Sequence, residues 1–166
     1  MTAQILTQAR LHELVCYDPD TGIFKSRATR GGVSAGSTMG TVSEGYLQIQ
    51  LDKKLYKAHR LAWFYVTGSW PPKLLDHING EKADNRISNL REATNKQNLE
   101  NRGKNSNNTS GYKGVCWHKR DGKWLAQIQH YGERIRLGMF VDLKDAHEAY
   151  ETAAKQLFTH HPKEVI

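Results

Sequence analysis

The chain is 166 residues long, enough for one compact domain or two small ones. Lys and Arg number 24 against 17 Asp and Glu, a formal charge of +7 with a pI near 9.4, which favours an anionic partner and nucleic acid first. No apolar run approaches the roughly 18 residues of a membrane-spanning helix, and the opening MTAQILTQAR has no signal-peptide core, so a membrane partner is not expected. Cys16 and Cys116 lie one hundred positions apart without a CxxC pair. Zinc-finger ligation and a disulfide scaffold are therefore not supported, and both are read as buried or incidental thiols of an intracellular protein.

In chain order, ILTQARLHELV (5–15) carries apolar side chains at helical spacing. YDPDTGIF (17–24) supplies Asp-Pro and Thr-Gly turn chemistry ahead of a short strand. Gly31 to Ser43 is rich in Gly, Ser and Thr and reads as a surface loop. In the next stretch Tyr46, Gln48 and Gln50 alternate with Leu47, Ile49 and Leu51, a half-buried strand that turns back at Asp52-Lys53-Lys54. Residues 58–67 read as a helix with Leu61, Ala62, Phe64 and Tyr65 inward, ended by Gly68 and Pro71-Pro72. His59, at its start, reads as a hydrogen-bonded framework residue.

The segment GKNSNNTSG (103–111) has no apolar residue and reads as a linker. Beyond it YKGVCWH, KWLAQIQHY and ERIRLGMF read as three strands joined by KRDG and YGE turns. DLKDAHEAYETAAKQLF then gives a helix capped by Asp142, with Ala146, Ala149, Tyr150, Ala153 and Leu157 on one stripe. The organisation expected is a unit over residues 1–102, a linker over 103–111 and a second unit over 112–166. His160 and His161 read as tail or surface rather than ligands.

The chemistry concentrates in LLDHINGEKADNRISNL (74–90), where apolar Leu74, Leu75, Ile78, Ile87 and Leu90 bracket the polar groups. Asp76 and His77 end a short apolar run. Asn89 follows His77 by twelve positions, just before a return strand, and Asn98 by twenty-one, in a short helix. Strand, loop, strand and helix would bring all four to one side. Phosphodiester hydrolysis needs such groups: an imidazole of pKa about 6.5 to take a proton from water, carboxylate and amide oxygens for a hard divalent cation, and an amide to fix tautomer or loop. Taken alone, Asp-His-x-Asn-Gly is an ordinary turn; the full spacing with its flanks is what points to a nuclease.

DHINGEKADNRISNL followed by ATNKQN closely resembles the HNH nuclease family, especially its homing-endonuclease branch common in phage genomes. YKAHRLAWFYVTGSWP and YDPDTGIF look like the same branch, so the resemblance spans about residues 10–102. It implies the ββα-metal motif, with His77 as general base, Asn89 orienting the loop and imidazole, and Asp76 with Asn98 holding the metal. Asn stands where many members carry the final His of the motif name, and an oxygen ligand there tilts the site toward Mg2+, with Mn2+ the alternative, and away from Zn2+ or Ni2+. Arg86 and Arg91 read equally as phosphate contacts or solvated charges.

Residues 110–158, above all GKW, LGMF and AHEAYETAA, resemble the APETALA/ethylene-response-factor type of DNA-binding domain. Strand alternation gives a role independently. Trp124, Ala126 and Ile128, with Ile135 and Leu137, should pack on the helix. The opposite face then carries His118, Lys123, Gln127, Gln129, Arg134 and Arg136, polar, basic and without carboxylates, as a sheet in a DNA major groove requires. Gln127, Gln129 and Cys116 depart from the charged residues frequent in the plant family, so its target sequence cannot be carried over.

The sequence thus predicts an α+β chain: a ββα-metal HNH unit followed by a three-stranded antiparallel sheet packed on one helix. The function expected is metal-dependent DNA endonuclease of the homing type, nicking one strand per active site. Its partner is double-stranded DNA, with no membrane and no small-molecule organic cofactor; a monomer is favoured, in the cytoplasm, which is that of a bacterial host cell if the chain is phage-encoded. The rivals are a sequence-specific DNA-binding regulator with a vestigial nuclease, and a restriction-type HNH enzyme with a short target.

Overall fold

The structure is a computed structural model and describes residues 5–29, 31–71 and 73–159. The chain divides between Thr94 and Asn95 into two compact units. His160 and His161 lie outside the described residues.

The first unit opens with helix α1 (Gln8–Leu14), capped by Thr7, whose hydroxyl accepts from the Arg10 amide at 3.2 Å. Strands β1 (Val15–Tyr17) and β2 (Phe24–Ser26) form an antiparallel hairpin with Tyr17 opposite Phe24. The turn between them is the Asp-Pro/Thr-Gly stretch. Asp18 ties it by accepting from the Asp20 amide and the Thr21 hydroxyl. A meander follows, of β3 (Thr41–Ser43), β4 (Tyr46–Leu51) and β5 (Lys54–Lys57), with β4 central. Part of the expected 31–43 loop is therefore strand β3; all three of its residues are exposed, so no alternation of apolar side chains marks it. Asp52 and Lys53 both have positive φ, 46° and 66°, which makes the two-residue turn whose twist suits a hairpin.

Helix α2 (Ala58–Thr67) buries Ala58, His59, Leu61, Ala62 and Phe64 and ends on Gly68 in the left-handed region. Tyr65 is only half-buried and stacks on His12. Leu11, Leu14, Val15, Phe24, Ile49 and Leu61 are almost fully excluded from water and form the core that α2 shares with α1, β1, β2 and β4. Each such side chain contributes on the order of 1.5–3 kcal/mol by its burial. Strands β6 (Leu74–His77) and β7 (Leu90–Ala93) make a second antiparallel hairpin, joined by a long polar loop that ends in a 3-10 turn at Ile87–Asn89.

The second unit starts with helix α3 (Asn95–Asn101). Strands β8 (Val115–His118), β9 (Lys123–His130) and β10 (Glu133–Phe140) form an antiparallel sheet with β9 in the middle. Helix α4 (Leu143–Leu157) is capped by Asp142, which accepts from the Lys144 amide at 2.6 Å. It lays Ala146, Tyr150 and Ala154 against Val115, Ala126 and Ile128. The α+β architecture expected from the pattern is the one observed: hairpins and two helices first, then a three-stranded sheet on one helix. The 103–111 segment is partly built into this unit. Ser110 is buried and donates to the Val115 carbonyl at 2.8 Å, and Asn108 donates to the Tyr112 carbonyl. Neither cysteine is buried: Cys16 and Cys116 both point outward from their strands, exposed and free. Among the described residues no helix is long and apolar enough to cross a membrane.

Candidate functional site

The β6–β7 hairpin sets the site. Leu75 and Leu90 anchor it, and the register places Asp76 opposite Arg91 and His77 opposite Leu90. Asp76 and His77 are each 5% exposed. The Asp76 carboxylate accepts from Arg91 through Nε at 3.1 Å and Nη2 at 2.8 Å, both on Oδ2. The pair is shielded, so it is less screened by salt than a surface bridge.

His77 sits edge-on to His59, ring centroids 5.0 Å apart, with the Tyr46 ring 6.1 Å away. Burial pushes the His77 imidazole below its ordinary value; Asp76, Asp84 and a hydrogen bond with the Asn85 side chain pull the other way. A ring that resists protonation stays a proton acceptor at neutral pH, the state a general base requires. His59 is driven down to about 3, by burial first, with the His77, Lys57 and Arg60 side chains adding to it. The side-chain hydrogen bonding expected of His59 is not seen: its Nδ1 is buried with no partner among the described residues.

Asn89 pins the loop. Its Oδ1 accepts from the Asn79 amide at 3.0 Å, while Nδ2 donates to Asn79 Oδ1 and to the Asp84 carbonyl, each at 3.0 Å. The Ile78 amide donates to the Asn89 carbonyl at 2.9 Å, so the two residues after His77 are tied by both backbone and side chain. The N-terminal hairpin holds the same loop from outside. The Tyr17 hydroxyl donates to the Asn85 carbonyl at 2.7 Å, and the Ile87 amide donates to the Pro19 carbonyl at 3.1 Å. Gly22, at φ 73°, lies so close that a Cβ there would meet the Arg86 nitrogen at 2.6 Å.

Arg86 is turned onto Asp84 through Nε at 2.9 Å and Nη2 at 2.6 Å, and this holds the Asp84 carboxyl below the usual carboxylate range. Both arginines singled out in the sequence thus have acidic partners within their own unit. Asn98 lies on α3, in the second unit. Among the described residues there is no cluster of three or more His, Cys, Asp or Glu side chains placed to hold a metal.

Residues 56–100 match the family model described as HNH endonuclease. Protein 3.8 of Escherichia phage T7 is 34% identical over 86 residues, 49% of this chain and 71% of that protein. Residues 56–100 thus form an HNH endonuclease domain, in a chain related to a phage protein. No solved structure matches it significantly. The HNH match covers α2, the β6–β7 hairpin and most of α3, and so includes His59, Asp76, His77, Asn89 and Asn98.

Outside the HNH segment, the register of the second sheet sets His118 opposite Lys123, Gln127 opposite Arg136 and Gln129 opposite Arg134. Strand alternation then puts all six on one face, away from the Ala126 and Ile128 side that meets α4. The face is not free of carboxylates, since Asp121 approaches His118 Nδ1 to 3.3 Å. Ile135, expected on the helix side, is 38% exposed, because a register shift between Arg136 and Gly138 bends β10 beside it. Gln127, Gln129 and Arg134 also line a cavity of about 660 Å3, together with Lys96, Arg102 and Lys113.

Four residues of the site stand outside the set expected from the sequence: Asn85, Asn79, Asp84 and Tyr46. For Asn85 a signal exists in the Asp-Asn preceding Arg86, a small amide in an apolar-bracketed loop that is 2% exposed in the fold. Nothing local marks Tyr46, which reads as an outward strand residue.

Proposed function

We propose that this chain is a metal-dependent DNA endonuclease of the HNH homing type, hydrolysing phosphodiester bonds and breaking one strand per active site. The observation that carries the reading is His77: a buried imidazole, its pKa lowered by that burial, next to the Asp76 carboxylate, at the mouth of a loop that Asn89 fastens by three side-chain hydrogen bonds. In this reading His77 accepts the proton of the attacking water. Asn89 keeps the loop and the imidazole aligned, a positioning role.

Asp76 would hold the metal, and a carboxylate oxygen is a donor that fits a hard cation which keeps most of its waters. Mg2+, or Mn2+ in its place, would neutralise charge on the phosphate when bound. Arg91 already faces Asp76 and Arg86 faces Asp84, so each guanidinium would meet phosphate by exchanging one anion for another. The six-residue face of the second sheet would read the DNA, in keeping with the likeness to the ethylene-response-factor type.

The second reading, a DNA-binding regulator with a vestigial nuclease, draws on one observation: Asp76 Oδ2 already accepts both Arg91 hydrogen bonds. Supercoiled plasmid incubated with the protein in Mg2+, in Mn2+ and in EDTA separates the two. Open-circle product that requires the cation supports the nuclease. Tight binding without cleavage in any cation would establish the regulator instead.

A further inference from the structure

Two ammonium groups converge on one aromatic ring beside His77. Lys57 Nζ lies 4.2 Å and Lys82 Nζ 4.9 Å from the centroid of Tyr46. The three come from different elements: Tyr46 opens β4, Lys57 closes β5, and Lys82 stands in the loop between β6 and β7. The same ring lies 5.4 Å from His59 and 6.1 Å from His77. Among the described residues neither lysine has a carboxylate within ion-pair distance. The hairpin turn makes room for this arrangement: a Cβ on Gly45 would meet the Lys82 stem at 3.3 Å. Bringing two like charges to one ring costs energy that the ring quadrupole only partly offsets. An anion between them removes that cost. The charges are felt at the neighbouring imidazoles, Lys82 at His77 and Lys57 at His59.

We propose that Lys57, Lys82 and the Tyr46 ring form a phosphate-binding subsite that grips the DNA backbone next to the reacting phosphodiester. The proposal rests on the nuclease reading for its position along the substrate, while the subsite itself requires only that the chain bind DNA. The lysines supply point charges, and the ring spaces them and shields one side from water.

The test uses the full chain in EDTA with a fluorescein-labelled 20-base-pair duplex of random sequence, titrated across a series of NaCl concentrations. In the double variant Lys57→Gln/Lys82→Gln the slope of log K against log salt should shrink by nearly 2, since each neutralised phosphate contributes roughly 0.9. Lys53→Gln/Lys54→Gln removes the same charge from the nearby turn and should shrink it far less. The Lys57→Arg/Lys82→Arg variant should restore binding. Equal loss in the two Gln pairs would overturn the subsite, because net charge alone would then explain the effect. An unchanged slope in the clamp variant would overturn it too. Cleavage by the wild type is scored separately with Mg2+ and Mn2+. Absence of cutting with an intact clamp effect removes the nuclease and leaves the subsite, whereas normal cutting without a clamp effect does the reverse.

Discussion

At His77 the consequence of burial is chemical rather than structural. A base must be unprotonated at working pH, and excluding water from the ring favours that state. Replacing it with alanine should lower DNA cleavage by about 10²–10⁴-fold, the usual range for loss of a general base, while duplex binding in EDTA stays close to wild type. A variant that cuts at wild-type rate would show that another group is the base. His59 gives a second test, in stability. Its pKa is pushed down to about 3, so between its ordinary value of about 6.5 and that point the unfolded chain binds a proton that the folded chain refuses. Stability must fall as pH drops through that window. Urea unfolding of the wild type at about pH 7.5 and about pH 4.5 should differ by about 1–3 kcal/mol more than in His59→Phe, which keeps the packing and removes the titration.

At the scale of elements, the β1–β2 hairpin serves as a brace for the loop between β6 and β7. Tyr17, Pro19 and Gly22 touch the segment 85–87 from one side, and Asn89 ties the loop from the other. Gly22→Ala forces a Cβ into backbone that has nowhere to move, at a φ that alanine resists. It should cost about 1–3 kcal/mol of stability in urea melts, and cleavage should fall although no catalytic atom is changed. Gly114 has the same role in the second unit, where a Cβ would strike the Tyr150 ring and the Gln127 carbonyl. Gly114→Ala should therefore lower the thermal midpoint of the unit that holds α4, read by near-UV circular dichroism from Trp117 and Trp124, which meet edge to face.

For the whole molecule the expected division of labour places chemistry in the HNH segment and recognition on the second sheet. Arg134→Gln/Arg136→Gln should reduce the salt slope of DNA binding by nearly 2 if each meets one phosphate, at roughly 0.9 apiece, with Mg2+-dependent cleavage retained at high protein concentration. Gln127→Ala and Gln129→Ala should instead relax sequence preference, by about 1–3 kcal/mol for each bidentate pairing with a base edge that the truncation removes. Selective cutting by all of these variants at wild-type affinity would remove the sheet from the recognition surface. With one His77 site per chain, plasmid should pass through open circle before any linear form; linear product without that precursor would require two chains acting together.

Local patterning determined a great deal. The α2 span, the β4–β5 turn at Asp52-Lys53, the three strands of the second sheet and the Asp142 cap all follow from periodicity and turn chemistry, which act over a few residues and therefore leave a mark in any short window. Spacing likewise placed Asp76, His77 and Asn89 on one hairpin and its loop. What the sequence could not contain was the identity of neighbours brought in from a distance. That Arg91 answers Asp76, that Tyr17 and Gly22 brace the loop at Asn85, and that Tyr46 gathers Lys57 and Lys82 next to two imidazoles depend on register and packing across tens of residues. Burial decided the rest: the same His77 in an open loop would titrate as an ordinary imidazole, and the surrounding fold lowers its pKa further.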